Sequence, residues 1–167
     1  DDRDLTPDEI NAQWAEDKLT EFANSNNKEP FFLAVGFLRP HTPLIAPQKY
    51  FDMYPLEDIQ LANILENDKF DTFRNYENII KVESDQSNSN NSSLTHRQLK
   101  RRWIEMYENL KDSYDDPEEG LRRFTQAYLA CVSAVDDNIG QVMKAIDNSN
   151  LKDNTIVVLV SDHGWTL

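Results

Sequence analysis

Two apolar runs, FFLAVGF at residues 31–37 and TIVVLV at residues 155–160, decide the fold class. Continuous apolar runs of this length suit strands that are buried on both faces, as in a parallel sheet covered by helices. The second run is rich in β-branched residues, which favour strands. Pro40 and Pro43 end the first run, because proline cannot donate to a strand ladder. With helical segments before and between the runs, the chain is predicted to be α/β, with a mostly parallel sheet flanked by helices.

The N-terminal helix is predicted from its start signal. Thr6 can cap the helix, Pro7 suits the first helical position, and Glu9 completes a capping box. Apolar residues follow at helical spacing, which predicts one buried stripe. The stripe consists of Ile10, Trp14, Ala15, Leu19 and Phe22. Residues 47–54 are predicted to form a short helix that Pro55 ends.

A second capping box, at residues 116–119, is predicted to open a long helix. The helix would run about 45 Å at 1.5 Å per residue if Gly140 does not break it. Its stripe consists of Leu121, Phe124, Tyr128, Cys131, Val135, Ile139, Val142 and Ile146. Cys131 falls inside this stripe, so we predict a core thiol and not a nucleophile. For Asp136 and Asp137, beside the stripe, polar packing or solvation is favoured over metal binding.

Composition limits the classes of partner. The 167 residues suffice for one domain, and 17 basic against 30 acidic side chains give a net charge of −13. Such a chain repels nucleic acid and anionic membrane surfaces, so neither is expected as a partner. It also repels sulfated or phosphorylated substrates at long range, so an anion site needs a local cation. The single cysteine allows no internal disulfide, and no run reaches the ~18 apolar residues of a membrane span.

Residues 65 to about 116 are predicted to form a variable, exposed insertion. Residues 84–93 are almost all Ser, Asn, Asp and Gln, which indicates an exposed loop. Asn90 and Asn91 each begin a glycosylation sequon, which we interpret as chance in an Asn-rich stretch. A helix is predicted over residues 95–110, with a basic cluster that forms a solvated face.

The first chemical signal is Asp162-His163-Gly164, directly after the second apolar run. Open α/β sheets bind their ligands just beyond the carboxyl ends of strands. A carboxylate and an imidazole side by side, followed by a glycine that permits a sharp turn, can both reach one cation. The alternative is a polar turn with an incidental histidine.

The second signal is Arg39-Pro40-His41-Thr42-Pro43, which follows the first apolar run. The two prolines stiffen the segment and restrict where Arg39 and His41 point. A guanidinium and an imidazole together can bind a tetrahedral oxyanion, and a histidine can protonate a leaving oxygen. The alternative is a proline-rich loop with surface charges.

Taken together, these motifs resemble the sulfatase family of the alkaline phosphatase superfamily, in particular its iduronate 2-sulfatase-like branch. The matching stretches occur in the family's order and cover most of the chain outside the predicted insertion. They are residues 28–37, 39–43, 54–57, 128–140 and 160–165. Residues 1–167 are thereby expected to form part of a sulfatase catalytic domain.

The resemblance implies metal-dependent hydrolysis of sulfate esters, with a sulfated glycan or glycosaminoglycan as the expected substrate. It implies a calcium ion held by Asp162 and His163, and a catalytic His41 that also contacts the sulfate group. Arg39 would bind substrate, although relatives often carry lysine at this position. The implied nucleophile is a formylglycine made from the first residue of a Cys/Ser-X-Pro-X-Arg motif. The implied compartment is lysosomal, secreted or periplasmic.

The chain departs from the family pattern because it contains no Cys/Ser-X-Pro-X-Arg motif. We therefore expect an internal fragment whose partner is the remainder of a sulfatase chain and which has no turnover alone. Two alternatives stay open: a phosphatase or phosphodiesterase of the same superfamily with two zinc ions, and an inert sulfatase-like binding module. Ligand chemistry alone would suggest zinc or manganese for an Asp–His pair, since calcium prefers oxygen, whereas the resemblance suggests calcium.

Overall fold

A computed structural model describes residues 3–26, 29–63, 105 and 108–164. The chain divides into two compact units. The first unit consists of Asp1–Ile59 with Arg123–Leu167, and the second of Gln60–Arg122. All predicted site residues belong to the first unit. Most of the predicted insertion, including both sequons and the basic cluster, lies outside the described residues.

Helix α1 spans Pro7–Asn24 and begins as the sequence predicts. The Thr6 side chain accepts a hydrogen bond from the Glu9 backbone N–H at 3.3 Å, and the Glu9 carboxylate accepts one from the Thr6 N–H at 2.7 Å. This reciprocal capping box is confirmed. Arg3 adds two bonds to the same carboxylate, at 2.8 and 2.6 Å. The start of α1 is therefore defined by its own local side chains.

The Arg3–Glu9 pair predicts a measurable titration. The Arg3 guanidinium, with help from Thr6, holds the pKa of Glu9 at about 2, against an ordinary 4.5. Because the folded pKa is depressed, the stabilisation from this pair is present above pH 4.5 and is lost as the pH falls towards 2. Arg3→Ala should raise the Glu9 pKa towards 4.5 in a carboxyl-carbon NMR titration. Arg122→Ala, which breaks the pair with Glu118, should leave it unchanged. A wild-type Glu9 that titrates near 4.5 would contradict the expectation.

The buried face of α1 differs in part from the predicted stripe. Its buried residues are Asp8, Ala12, Ala15 and Leu19. Ile10 and Trp14 are exposed, so the prediction is wrong for these two residues. At 3.6 residues per turn they lie on the opposite side of the helix from the buried set. The prediction rested on the spacing of large apolar residues and so included these two. The structure instead turns the small side chains of Ala12 and Ala15 towards the core.

Short helices follow in the middle of the first unit. Helix α2 spans Gln48–Phe51, and a 3₁₀ turn spans Leu56–Asp58. The predicted short helix before Pro55 is confirmed. Tyr50 of α2 is buried against Ala130 and Ala134.

Helix α3 spans Pro117–Asp147, 31 residues or about 46 Å. An oxygen of the Asp116 carboxylate accepts from the Glu118 N–H at 3.0 Å and caps the first turn. The helix continues through Gly140, so the long-helix prediction is confirmed. Cys131 is fully buried, and burial raises the pKa of its thiol, as expected of a core cysteine.

A cluster of apolar side chains joins α1 to the end of α3 within the first unit. Its buried members are Leu19, Ile146 and Leu151. Leu33, from the first apolar run, packs against this cluster, and the Phe31 ring stacks on Phe22 with centroids 4.6 Å apart. The first run therefore lies along α1.

Gly120, near the start of α3, predicts a clear contrast with Gly140. A Cβ at Gly120 would lie 2.5 Å from the Leu110 carbonyl oxygen and 3.1 Å from the Tyr114 ring, whereas one at Gly140 would meet nothing within 4 Å. Gly120→Ala should therefore lower the free energy of unfolding by about 1–3 kcal/mol. Gly140→Ala should raise it by about 0.5–1 kcal/mol, because alanine favours the helix. Urea denaturation of the two variants measures both. Equal effects would refute the close approach at Gly120.

Neither apolar run forms a strand in the described part of the chain. The prediction that both runs are buried on both faces is wrong for this chain, since Phe32 is 93% and Ile156 92% exposed. A strand becomes buried on both faces only when neighbouring strands pair with it and helices cover the sheet. Helix-rich packing is confirmed, and the mostly parallel sheet stays a prediction. Among the described helices, none is long and apolar enough to cross a bilayer.

Candidate functional site

The Arg39–His41 motif lies in a tight loop between the first apolar run and α2. The chain turns at residues 39–40, and the peptide bonds before Pro40 and Pro43 are both cis. The His41 N–H donates to the Leu38 carbonyl at 2.9 Å, and the Ile45 N–H donates to the Pro43 carbonyl at 2.9 Å. These bonds define residues 38–45, here called the anion loop after the oxyanion site that the sequence predicts for it.

Asp8 connects the anion loop to α1. One carboxylate oxygen accepts from the Leu38 N–H at 2.8 Å, and the other accepts from the Arg39 N–H at 2.9 Å. The residue is only 3% exposed. Hydrogen bonds to a charged acceptor contribute about 1.5–3 kcal/mol each, and the N-terminal turn of a helix also favours negative charge. A buried carboxylate is therefore tolerated here because its two oxygens have backbone donors.

The Arg39 side chain bridges two backbone carbonyl groups of its own loop. Its Nε donates to the Ile45 carbonyl at 2.8 Å, and its Nη1 donates to the His41 carbonyl at 3.1 Å. A guanidinium has five N–H donors. The two bonds use two of them, and the other three bond no residue in the part of the chain that the structure describes. Arg39 thus holds the His41 and Ile45 carbonyl groups together.

His41 is exposed and presents one ring nitrogen. Its Nδ1 lies 2.5 Å from the Thr42 carbonyl oxygen. A carbonyl oxygen only accepts, so the hydrogen of a neutral ring is on Nδ1 and the lone pair is on Nε2. The loop therefore offers an Nε2 atom that can accept a proton, or donate one when the ring is protonated.

The far end of the anion loop is tied to α3 through α2 and the turn after it. The Tyr50 hydroxyl donates to the Asp137 carboxylate at 2.6 Å, and the Lys49 ammonium lies 3.2 Å from the same oxygen. These two donors lower the pKa of Asp137. Polar packing of Asp137 is thereby confirmed. The Tyr54 hydroxyl and the Ser133 hydroxyl add a hydrogen bond of 2.6 Å.

Asp162 and His163 form a compact turn after the second apolar run. The His163 N–H donates to one Asp162 oxygen at 2.9 Å, and the Ser161 hydroxyl donates to the His163 carbonyl at 2.6 Å. The His163 Nε2 lies 3.6 Å from the other Asp162 oxygen. One oxygen and one nitrogen at this separation can both bond a cation at about 2.0–2.4 Å.

This donor pair fits a divalent metal but does not complete its coordination. No third His, Cys, Asp or Glu joins it within the part of the chain that the structure describes. Both side chains are exposed, so they are accessible to further ligands. The remaining ligands of such an ion would come from elsewhere.

The four predicted site residues fall into two local pairs. Arg39 and His41 are joined through the anion loop, and Asp162 and His163 through their turn. No hydrogen bond or ion pair links one pair to the other among the described residues. Two cavities, of about 370 and 300 Å³, are lined by none of the four. Sequence reasoning missed Asp8, because an acidic residue in the first turn of a helix is common and nothing local distinguishes it.

The family model described as Sulfatase matches residues 6–167. The chain therefore belongs to the sulfatase family, within the alkaline phosphatase superfamily.

Several curated proteins are similar to the chain. A sulfatase from Formosa agariphila is 39% identical over 163 residues, which are 98% of this chain and 27% of that protein. Iduronate 2-sulfatase from Mus musculus is 33% identical over 83% of this chain and 22% of its own length. The Homo sapiens iduronate 2-sulfatase is 29% identical over 96% of this chain and 26% of its own length. The chain thus spans about a quarter of the length of these relatives. No solved structure matches.

Proposed function

We propose that this chain is a segment of a metal-dependent sulfatase and supplies the anion loop and part of the metal site. The observation that carries the proposal is the anion loop itself. It carries the Arg39 guanidinium, three of whose N–H donors bond no described residue, and the exposed His41 imidazole two residues further on. In a chain with a net charge of −13, such a local cationic site is what a sulfate ester requires.

Each side chain of the loop has a distinct role in this proposal. The planar Arg39 guanidinium binds oxygens of the sulfate group through its unused N–H donors. The His41 ring contacts the sulfate group and, in its protonated form, donates the Nε2 proton to the leaving ester oxygen. The Asp8 and α3 contacts limit the movement of the loop, so little ordering is needed when substrate binds.

The metal is assigned to Asp162 and His163, whose donor atoms are 3.6 Å apart. A divalent ion there would supply neutralisation of negative charge on the sulfate oxygens. Calcium is proposed from the family, and the nitrogen donor keeps zinc as the alternative.

The nucleophile and the sheet are assigned to the remainder of a longer protein. Apolar residues in the second run are broadly exposed, and apolar surface of this kind requires cover. We propose that residues 31–37 and 155–160 become neighbours in a parallel sheet there, and that a formylglycine lies in the additional segment. A sulfated glycan is the proposed substrate, as the similarity to iduronate 2-sulfatases suggests, in a lysosomal, secreted or periplasmic setting.

The proposal is tested on a complete protein that contains residues 1–167. We expect it to hydrolyse 4-nitrophenyl sulfate faster than 4-nitrophenyl phosphate, and to lose activity when a chelator removes one bound divalent ion per chain. Faster phosphate hydrolysis with two zinc ions per chain would favour a phosphatase. A loaded, folded protein that hydrolyses neither ester would favour an inert module. The 167-residue chain alone is expected to show no turnover.

A further inference from the structure

We propose that Asp8 is a positioning residue for the anion loop: its carboxylate determines where Arg39 and His41 present their side chains. The inference rests on the proposed sulfatase function. The observation behind it is the pair of hydrogen bonds from the Leu38 and Arg39 backbone N–H groups to the two oxygens of one carboxylate.

The geometry of these two bonds explains how a helix residue can shape a loop. In a regular strand, successive N–H groups point to opposite sides. Here two successive N–H groups reach one carboxylate, and the chain turns at residues 39–40. Asp8 therefore marks the point at which the first apolar run ends and the anion loop begins.

Asp8 is not needed to cap its own helix. Thr6 and Glu9 already form the complete capping box of α1. Both Asp8 oxygens instead bond residues 30 and 31 positions further along the chain. Asp8 is also the buried acidic residue of the first turn, and a buried carboxylate without donors would be strongly disfavoured. Its burial is consistent with a role directed at the loop.

A displacement of the Asp8 carboxylate is transmitted to the side chains of Arg39 and His41 through a few hydrogen bonds. The Arg39 N–H is held by Asp8, and the Arg39 guanidinium holds the His41 and Ile45 carbonyls. The His41 N–H returns to the Leu38 carbonyl. A shift at the Asp8 end therefore moves both Arg39 and His41, although the Asp8 carboxylate forms no hydrogen bond with either of their side chains.

The first part of the test compares the wild-type 167-residue chain with two variants of it. Hydrogen exchange followed by NMR should show the Leu38 and Arg39 amides protected relative to the amide of Phe32, a residue that is 93% exposed. Asp8→Asn should abolish the protection of at least one of the two amides and shift the His41 ring resonances, because an amide side chain has one acceptor oxygen for two N–H donors. The control Asp17→Asn makes the same change of charge on the exposed side of α1 and should do neither.

The second part measures kinetics in a complete protein with sulfatase activity. Asp8→Asn should lower kcat/KM for 4-nitrophenyl sulfate by about 10²-fold, since small misplacements of reacting groups have effects of this size. Inorganic sulfate should also bind more weakly as an inhibitor. Asp8→Glu keeps both acceptor oxygens and should recover part of kcat/KM. Asp17→Asn should match the wild type.

The outcomes separate this inference from the proposed function. Fast exchange of both amides in the wild-type chain overturns the positioning role whatever the activity. Wild-type kcat/KM in folded Asp8→Asn overturns it as well. If Asp8→Asn does not fold, two other measurements decide: the exchange pattern of the wild-type chain and the kinetics of Asp8→Glu. Unprotected Leu38 and Arg39 amides, together with wild-type kinetics in Asp8→Glu, count against the positioning role. Wild-type protein that hydrolyses no sulfate ester refutes the proposed function, and the positioning role with it, even where both amides are protected.

Discussion

Leu19→Ala should lower the free energy of unfolding of this chain by about 2–5 kcal/mol. Leu19 is 2% exposed and is the central contact between α1 and the end of α3, where it packs with Ile146 and Leu151. Truncation removes buried methyl groups and leaves a cavity that two rigid helices cannot close. Chemical denaturation monitored by circular dichroism measures the loss. A change below about 1 kcal/mol would mean that α1 and α3 do not share this core.

Leu159→Ala is the matched control, because it removes the same atoms from a side chain that is 73% exposed. In this chain we expect Leu159→Ala to change the free energy of unfolding by no more than about 0.5 kcal/mol. In a complete protein the same substitution should cost about 2–5 kcal/mol, because the proposed sheet buries residues 155–160. A small effect in both settings would argue against the sheet.

His41→Ala should lower kcat/KM for a sulfate ester by about 10²–10⁴-fold in a complete protein with sulfatase activity. The reason is the loss of the Nε2 proton donor that we propose for the leaving ester oxygen, in the same loop as Arg39. The fold should be unaffected, because the exposed ring bonds only the carbonyl of the adjacent Thr42 among the described residues. Steady-state kinetics measure the loss, and added imidazole should restore part of the activity.

The control for His41→Ala is Gln48→Ala, a few residues further on. The Gln48 side chain is exposed and donates to Asp52 at 2.8 Å, away from the anion loop. Its removal should leave kcat/KM within a factor of about 2, since surface changes away from such features have small effects. Wild-type kinetics in folded His41→Ala would remove His41 from the proposed mechanism.

Local signals in the sequence predicted much of the helical structure. The capping box of α1 and the long α3 were both predictable, because caps and apolar periodicity act over three or four residues. Cys131 was predictable as a core thiol for the same reason. The Arg39–His41 and Asp162–His163 motifs predicted the family, which the family model confirms. Their roles in catalysis and metal binding stay predictions.

Local patterns in the chain were enough to predict where α1 and α3 begin, the family, and which residues are candidates for chemistry. The buried face of α1, and the hydrogen bonds from Asp8 to the anion loop across 30 residues of chain, became visible only in the packed molecule. The tertiary structure also showed Asp137 bonded to Tyr50, 87 residues away, and the second apolar run exposed. The physical reason is range: helix signals arise between neighbours in the chain, whereas burial and hydrogen bonds between distant residues depend on how the elements pack.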